Sequence, residues 1–182
     1  MYNIIVNKQN KLDKEYFPND LRIVKVPFNI KEFHSKRLMR REAARNLENL
    51  FSKAYYDRLE LYAISGFRPY ERQERIFAKA YRLDGEEANR YSARAGESEH
   101  QTGLAMDISC EAMDYQLREE FGETKEGIWL RENAHKFGYV LRYPKGKEDI
   151  TGYMYEPWHI RYVGESLAEK MYFENKVLEE CR

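Results

Sequence analysis

Apolar positions between Leu38 and Arg58 recur at helical spacing. Leu38, Ala43, Leu47, Leu50, Phe51 and Ala54 fall on one side, with charged residues opposite. That period predicts an amphipathic helix over 38–58. LELYAIS (59–65) reads as a strand ending at Gly66, and ERQERIFAKAYRL (71–83) as a second helix with Ile76, Phe77 and Ala80 on one side. In HQTGLAMDIS (100–109), Leu104, Met106 and Ile108 alternate with Ala105, Asp107 and Ser109, the period of a strand. TKEGIWLRENAHKF (124–137) predicts a third helix, stopped by Gly138 in a left-handed cap. YVLRYP (139–144) predicts a strand closed by Pro144, and TGYMYEPWHIRYV (151–163) another, interrupted by Pro157. ESLAEKMYFENKVLEE (165–180) predicts a closing amphipathic helix. Helices and strands do not alternate regularly enough for a parallel α/β sheet. The pattern predicts an α+β fold, a small, mostly antiparallel sheet flanked by helices.

With 182 residues, the chain is long enough for one domain (1–182) with its own core. Lys plus Arg and Asp plus Glu both number 31, so the formal charge is zero. A balanced chain offers no electrostatic case for nucleic acid or an anionic membrane as partner. The densest basic stretch, SKRLMRREAAR (35–45), reads as the wet face of the first helix. Ile4-Ile5-Val6 is too short for the apolar core of a signal peptide, and no segment approaches a membrane span. If Met1 is the native start, the expected location is the cytoplasm; if the chain is trimmed, an exported, anchored form is open. Cys110 and Cys181 are too few for a disulfide framework, and Cys110 reads as a small buried side chain.

Candidate chemistry gathers in two segments. Asp107 points away from three apolar side chains on its strand, and a carboxylate fixed beside a core is costly unless paired. His100 lies just before that strand, beyond the turn that Gly103 permits, and can fold over the same face. On this segment alone, a capping histidine and a surface aspartate explain the residues equally well. YEPWHIRYVG (155–164) adds Glu156, Trp158 and His159 around Pro157. Proline removes a ladder donor and favours an edge strand or a bulge, where neighbouring side chains are re-aimed. Two histidines and a carboxylate, with a second carboxylate nearby, are the parts of a catalytic zinc site with one open position. His100, Asp107 and His159 are the expected ligands of one Zn2+ per chain. Glu156 is the expected base beside a water whose pKa zinc lowers to about 7. His34 (KEFHSKR) and His135 (ENAHKF) read as surface or packing residues. Arg68, on the turn of SGFRPYERQ (65–73), has the geometry to grip a carboxylate or a developing oxyanion, although a turn arginine is more often solvated or paired structurally.

Taken together, SEHQTGLAMD (98–107), EPWHIRYVG (156–164) and SGFRPYERQ (65–73) resemble the VanY-like zinc D-Ala-D-Ala carboxypeptidases, which share a fold with the Hedgehog signalling domain. The resemblance extends to IVNKQNKL and LRYPKGKEDITGYMYEPWH, most of the chain. It implies the same three zinc ligands and Glu156 as general base, with Arg68 contacting substrate and oxyanion. It further implies that Ser98 and Gln73 help hold the substrate's terminal carboxylate and that Trp158 walls the pocket. Where the family commonly has Pro-Gly and a small or aromatic residue before this motif, the chain has Ala95-Gly96-Glu97, at the lip of the substrate site. Beginning at the catalytic segment, the chain looks like the VanXY type. That implies small peptide substrates ending in D-Ala-D-Ala, pentapeptide or dipeptide, and a role in vancomycin resistance. An L,D-carboxypeptidase that trims the tetrapeptide stem shares the zinc set and stays open, as does a zinc-stabilised binding module. Glu156 beside an open position argues against the latter.

Overall fold

The computed structural model describes residues 2–30, 32 and 34–181. In chain order the elements are β1 (Leu21–Ile23), β2 (Leu38–Arg40), α1 (Arg41–Tyr56), β3 (Tyr62–Ser65), α2 (Tyr70–Asp84), α3 (Ala88–Tyr91), β4 (Ala105–Ser109), α4 (Lys125–Asn133), β5 (Tyr139–Tyr143), α5 (Glu148–Thr151), β6 (Glu156–Tyr162) and α6 (Glu165–Phe173), with short 3-10 turns between them. The central sheet has four strands in the order β3-β4-β6-β5, every neighbouring pair antiparallel. An α+β fold with a small antiparallel sheet is therefore what forms.

The core lies between α1 and this sheet. Ala43, Ala44, Leu47, Leu50, Phe51 and Ala54 of α1 are buried against Ala63, Met106, Ile108 and Ile160. A second, smaller cluster joins Val140 of β5 to Ala168 and Met171 of α6. Among the described residues, no helix is long and apolar enough to cross a membrane.

Three boundaries differ from the periodicity, each for a physical reason. The first helix starts at Arg41, because Leu38–Arg40 pairs with Leu21–Ile23 as a two-stranded ladder. The basic stretch 35–45 is thus only partly helical, and Arg40 is tied to Asp20 at 2.8 Å. The last helix ends at Phe173, where Asn175 takes φ +50. The apolar signal continued to Leu178 because Val177 and Leu178 are buried as well, entering and opening a 3-10 turn. The strand expected from 151 begins at Glu156, after α5 closes on Gly152 at φ +79.

The third helix behaves as expected, passing into a 3-10 turn (Ala134–Phe137) that stops on Gly138 at φ +75. Pro157, however, is not on an edge strand: β6 lies inside the sheet. Pairing with β4 ends at Asp107↔His159, so that neighbour needs no donor from Pro157. On the other side the β5 register slips between Leu141 and Tyr143. A bulge-like irregularity accommodates the proline instead.

Candidate metal centre

Strand register brings the site together. Asp107 of β4 pairs with His159 of β6 on one side and Ser65 of β3 on the other. Directly opposed residues of an antiparallel pair hold their Cβ atoms about 4.5–5.5 Å apart, so Asp107 and His159 become neighbours despite their separation in sequence. His100 comes from the 3-10 turn Glu99–Thr102, which Gly103 closes at φ +67 just before β4. Its Nε2 lies 3.2 Å from Asp107 Oδ2, and His159 Nδ1 lies 3.2 Å from Asp107 Oδ1. One ligand atom from each of the three falls within 4.8 Å of the others. The far nitrogen of His100, Nδ1, donates to the Gly66 carbonyl at 2.8 Å, which leaves Nε2 as the acceptor facing Asp107. A side chain at Gly66 would not fit: its Cβ would stand 2.6 Å from the Leu38 carbonyl oxygen.

Two further groups border this cluster. Glu156 Oε2 is 3.6 Å from His159 Nδ1. Arg68 reaches Asp107 Oδ2 at 3.7 Å while donating to Gln73 Oε1 at 2.7 Å and Ser65 Oγ at 3.2 Å. Its backbone N–H donates to the His100 carbonyl at 3.1 Å, so turn and guanidinium are both anchored.

Burial sets the electrostatics. It opposes the Asp107 charge, yet the two imidazoles hold that carboxyl well below the usual carboxylate range. Burial pushes Glu156 up to about 8 against the pull of nearby His159. For His159, burial opposes the proton, but the facing carboxylates of Asp107 and Glu99 push it up to about 9. His100 is lowered, chiefly by burial. Without an ion, the cluster thus keeps a proton on His159 between carboxylates.

These residues fit a divalent cation. Among the described residues, buried Asp107 Oδ1 makes no well-formed hydrogen bond, only the 3.2 Å approach to His159 Nδ1, and Arg68 is the guanidinium near both Asp107 and Glu156. Two imidazole nitrogens and a carboxylate oxygen suit zinc. His34 and His135 stand apart. His34 caps the turn 35–37 and accepts from Arg72, and buried His135 stacks on Tyr172 at 3.7 Å. Cys110 is buried outside the His/Asp/His group.

A cavity of about 250 Å³ opens onto the cluster. Arg68, Gln73, Ser98, His100, Asp107, Glu156, Trp158 and His159 all line it. Gln73 is engaged at both ends of its amide, accepting from Arg68 and donating to the Ala93 carbonyl. Ile76 and Ala80 of α2 and Leu117 supply apolar wall.

Residues 36–165 match the VanY family, described as D-alanyl-D-alanine carboxypeptidase. The chain belongs to the VanY family. YodJ of Bacillus subtilis (strain 168), a putative carboxypeptidase, is 49% identical over 177 residues, covering 97% of this chain and 65% of its own length. The chain therefore spans just under two-thirds of that curated relative. The structure of the LdcB LD-carboxypeptidase aligns with TM-score 0.92 at 48% identity, covering 97% of this chain and 83% of that one. The vancomycin resistance D,D-pentapeptidase VanY, solved as a point mutant in complex with Zn(II), aligns with TM-score 0.77 at 31% identity, covering 98% and 97%. The chain therefore shares the fold of these VanY-family peptidases.

Within this VanY-family site, sequence reading missed Glu99, Tyr143 and Tyr153. All three line the cavity. Glu99 is 1% exposed, and its Oε2 lies 3.4 Å from His159 Nε2. A charged residue beside His100 carried no sign of burial, because its partners Arg142 and Arg161 lie far along the chain. The tyrosines, 5.1 Å apart by ring centroid, were lost in a total of 15 with general core character.

Proposed function

We propose that this chain is a zinc-dependent carboxypeptidase that removes the terminal D-alanine from peptidoglycan stem peptides. The observation that carries this reading is the convergence of His100, Asp107 and His159 beside an uncommitted carboxylate, Glu156, at the floor of a small cavity. Bound by those three ligands, zinc supplies Lewis-acid charge and acidifies water at neutral pH. Glu156, buried beside the ligands with Oε2 3.6 Å from His159 Nδ1, is suited both to take a proton from the attacking water and to return it to the leaving amine. Arg68, held by Gln73 and Ser65, stabilises the oxygen on which negative charge develops. Trp158 and the α2 face, which line the cavity, are assigned to the wall around the terminal residue, and Ser98, on the same lining, to the terminal carboxylate.

Specificity divides two readings. Higher likeness to LdcB, 48% identity against 31% for VanY, favours an L,D-carboxypeptidase that trims the tetrapeptide stem. The family description favours D,D-cleavage of the pentapeptide, with D-Ala-D-Ala dipeptidase activity and a part in vancomycin resistance as its extension. We take the tetrapeptide as the preferred substrate. Incubating the zinc-loaded protein with tetrapeptide stem, pentapeptide stem and D-Ala-D-Ala, and measuring released alanine by mass spectrometry, separates the readings. Release from the tetrapeptide alone supports the first, and release from the other two supports the second. No release from any, with zinc still bound, leaves a binding module and removes the enzyme reading for this chain.

A further inference from the structure

Metal-ligand histidines need their second nitrogen occupied, because the acceptor there fixes the tautomer and the ring's aim. For His100 that acceptor is the Gly66 carbonyl. For His159 the atom facing Nε2 is Glu99 Oε2, at 3.4 Å, and neither atom has a hydrogen-bond partner elsewhere among the described residues.

We propose that Glu99 is a positioning residue for His159, held in turn by a buried ion-pair knot tied to both ends of the chain. This rests on the zinc reading above. Glu99 Oε1 accepts from Arg142 Nε and from Arg161 Nη1, each at 2.7 Å, which leaves Oε2 for His159. A carboxylate this deeply buried is costly without partners, and both guanidiniums are fully buried beside it.

Each arginine is then anchored by a terminal segment. Arg142 donates its remaining nitrogens to Glu179 at 2.9 and 2.6 Å, in the last 3-10 turn. Arg161 Nη2 donates to the carbonyls of Tyr2 and Ile4 at 2.9 and 2.7 Å. Asn7 Nδ2 donates to Glu179 Oε1 at 3.0 Å, joining the two ends. Two carboxylates and two guanidiniums balance in charge. The knot therefore brings no net charge to the site, and through the Glu99 carboxylate facing Nε2 it sets the aim of the ring. Docking of residues 2–10 and 178–180 is thereby coupled to how well His159 presents Nδ1 to a metal.

The test is zinc affinity of the full chain, measured by competition with a chromophoric chelator, with the visible spectrum of the cobalt-substituted protein beside it. Glu99→Gln keeps the shape and removes the charged acceptor. It weakens zinc binding by about 10–100-fold, the usual cost of removing a ligand's supporting acceptor, and alters the cobalt bands. Glu179→Gln, at a partly exposed position, weakens zinc less and in the same direction; it carries the test if Glu99→Gln does not fold. Leu47→Ala, deep in the core and remote from the knot, lowers the melting temperature and leaves zinc affinity alone. Zinc affinity and cobalt spectrum unchanged in Glu99→Gln, or unchanged affinity in Glu179→Gln where Glu99→Gln does not fold, overturns the proposal and reduces the knot to a structural tie. A parent protein that binds no zinc overturns the metal reading itself, a separate failure.

Discussion

Helices α1 and α2 are nearly equal in length, 16 and 15 residues, and both show an amphipathic pattern, yet they do different work. The apolar side of α1 is buried whole against the sheet. Of α2 the one fully buried side chain is Gln73, and its apolar residues Ile76 and Ala80 line the cavity instead. An apolar stripe therefore marks a surface hidden from bulk water, which a binding cleft satisfies as well as a core does. One helix holds the scaffold; the other shapes the space above the candidate metal centre.

Substitutions that separate chemistry from scaffold test this contrast most sharply. Glu156→Ala is expected to lower kcat by about 10²–10⁴-fold, the scale of a lost general base, while zinc content by metal analysis stays near one per chain. His159→Ala, by contrast, loses the metal. Arg68→Ala follows, with a loss of about 10²–10³-fold, the scale of one oxyanion partner, and a much smaller change in denaturant midpoint. Unchanged kinetics would move Arg68 out of the site.

On the scaffold side, Leu47→Ala in α1 should cost about 2–5 kcal/mol of unfolding free energy in a urea titration, as for buried leucines generally, with KM unaltered. Ile76→Ala in α2 reverses that profile. A half-buried cleft residue should cost about 1 kcal/mol or less in stability while raising KM. If both helices respond alike, the division of labour between them is wrong.

The last contrast is pH-dependent. Glu156 and His159 are both raised in the metal-free protein, to about 8 and about 9. A group whose folded pKa lies above its unfolded value gives stability that is full below the unfolded pKa and lost as pH rises through the folded one. With unfolded values near 4.3 and 6.5, the window runs from about 4.3 to 8 for Glu156 and about 6.5 to 9 for His159. Chelator-treated protein should therefore melt lower at pH 9 than at pH 6, and Glu156→Gln should flatten the lower part of that slope. Excess zinc should shrink the difference, since the ion takes the place of the proton on His159.

Much of the site was legible because its chemistry is local in sequence. His100 and Asp107 flank one turn, Glu156 and His159 one proline, and Arg68 sits in a short segment of its own. Residue types that are costly to bury, placed next to strand periodicity, announce themselves. The β1–β2 ladder was not legible, since three-residue strands with polar flanks carry no period. Nor was the end of α6, because a turn that buries Val177 and Leu178 looks like more helix.

By itself, then, the sequence determined which side chains had the chemistry to share a cation and which elements would carry them, because periodicity reports the sidedness of each element. Tertiary structure alone decided that Asp107 stands opposite His159, that α2 turns its apolar side to a cleft, and that Glu99 meets Arg142 and Arg161. Those outcomes depend on strand register and on charges from distant segments meeting in a low-dielectric interior, and neither leaves a trace in local spacing.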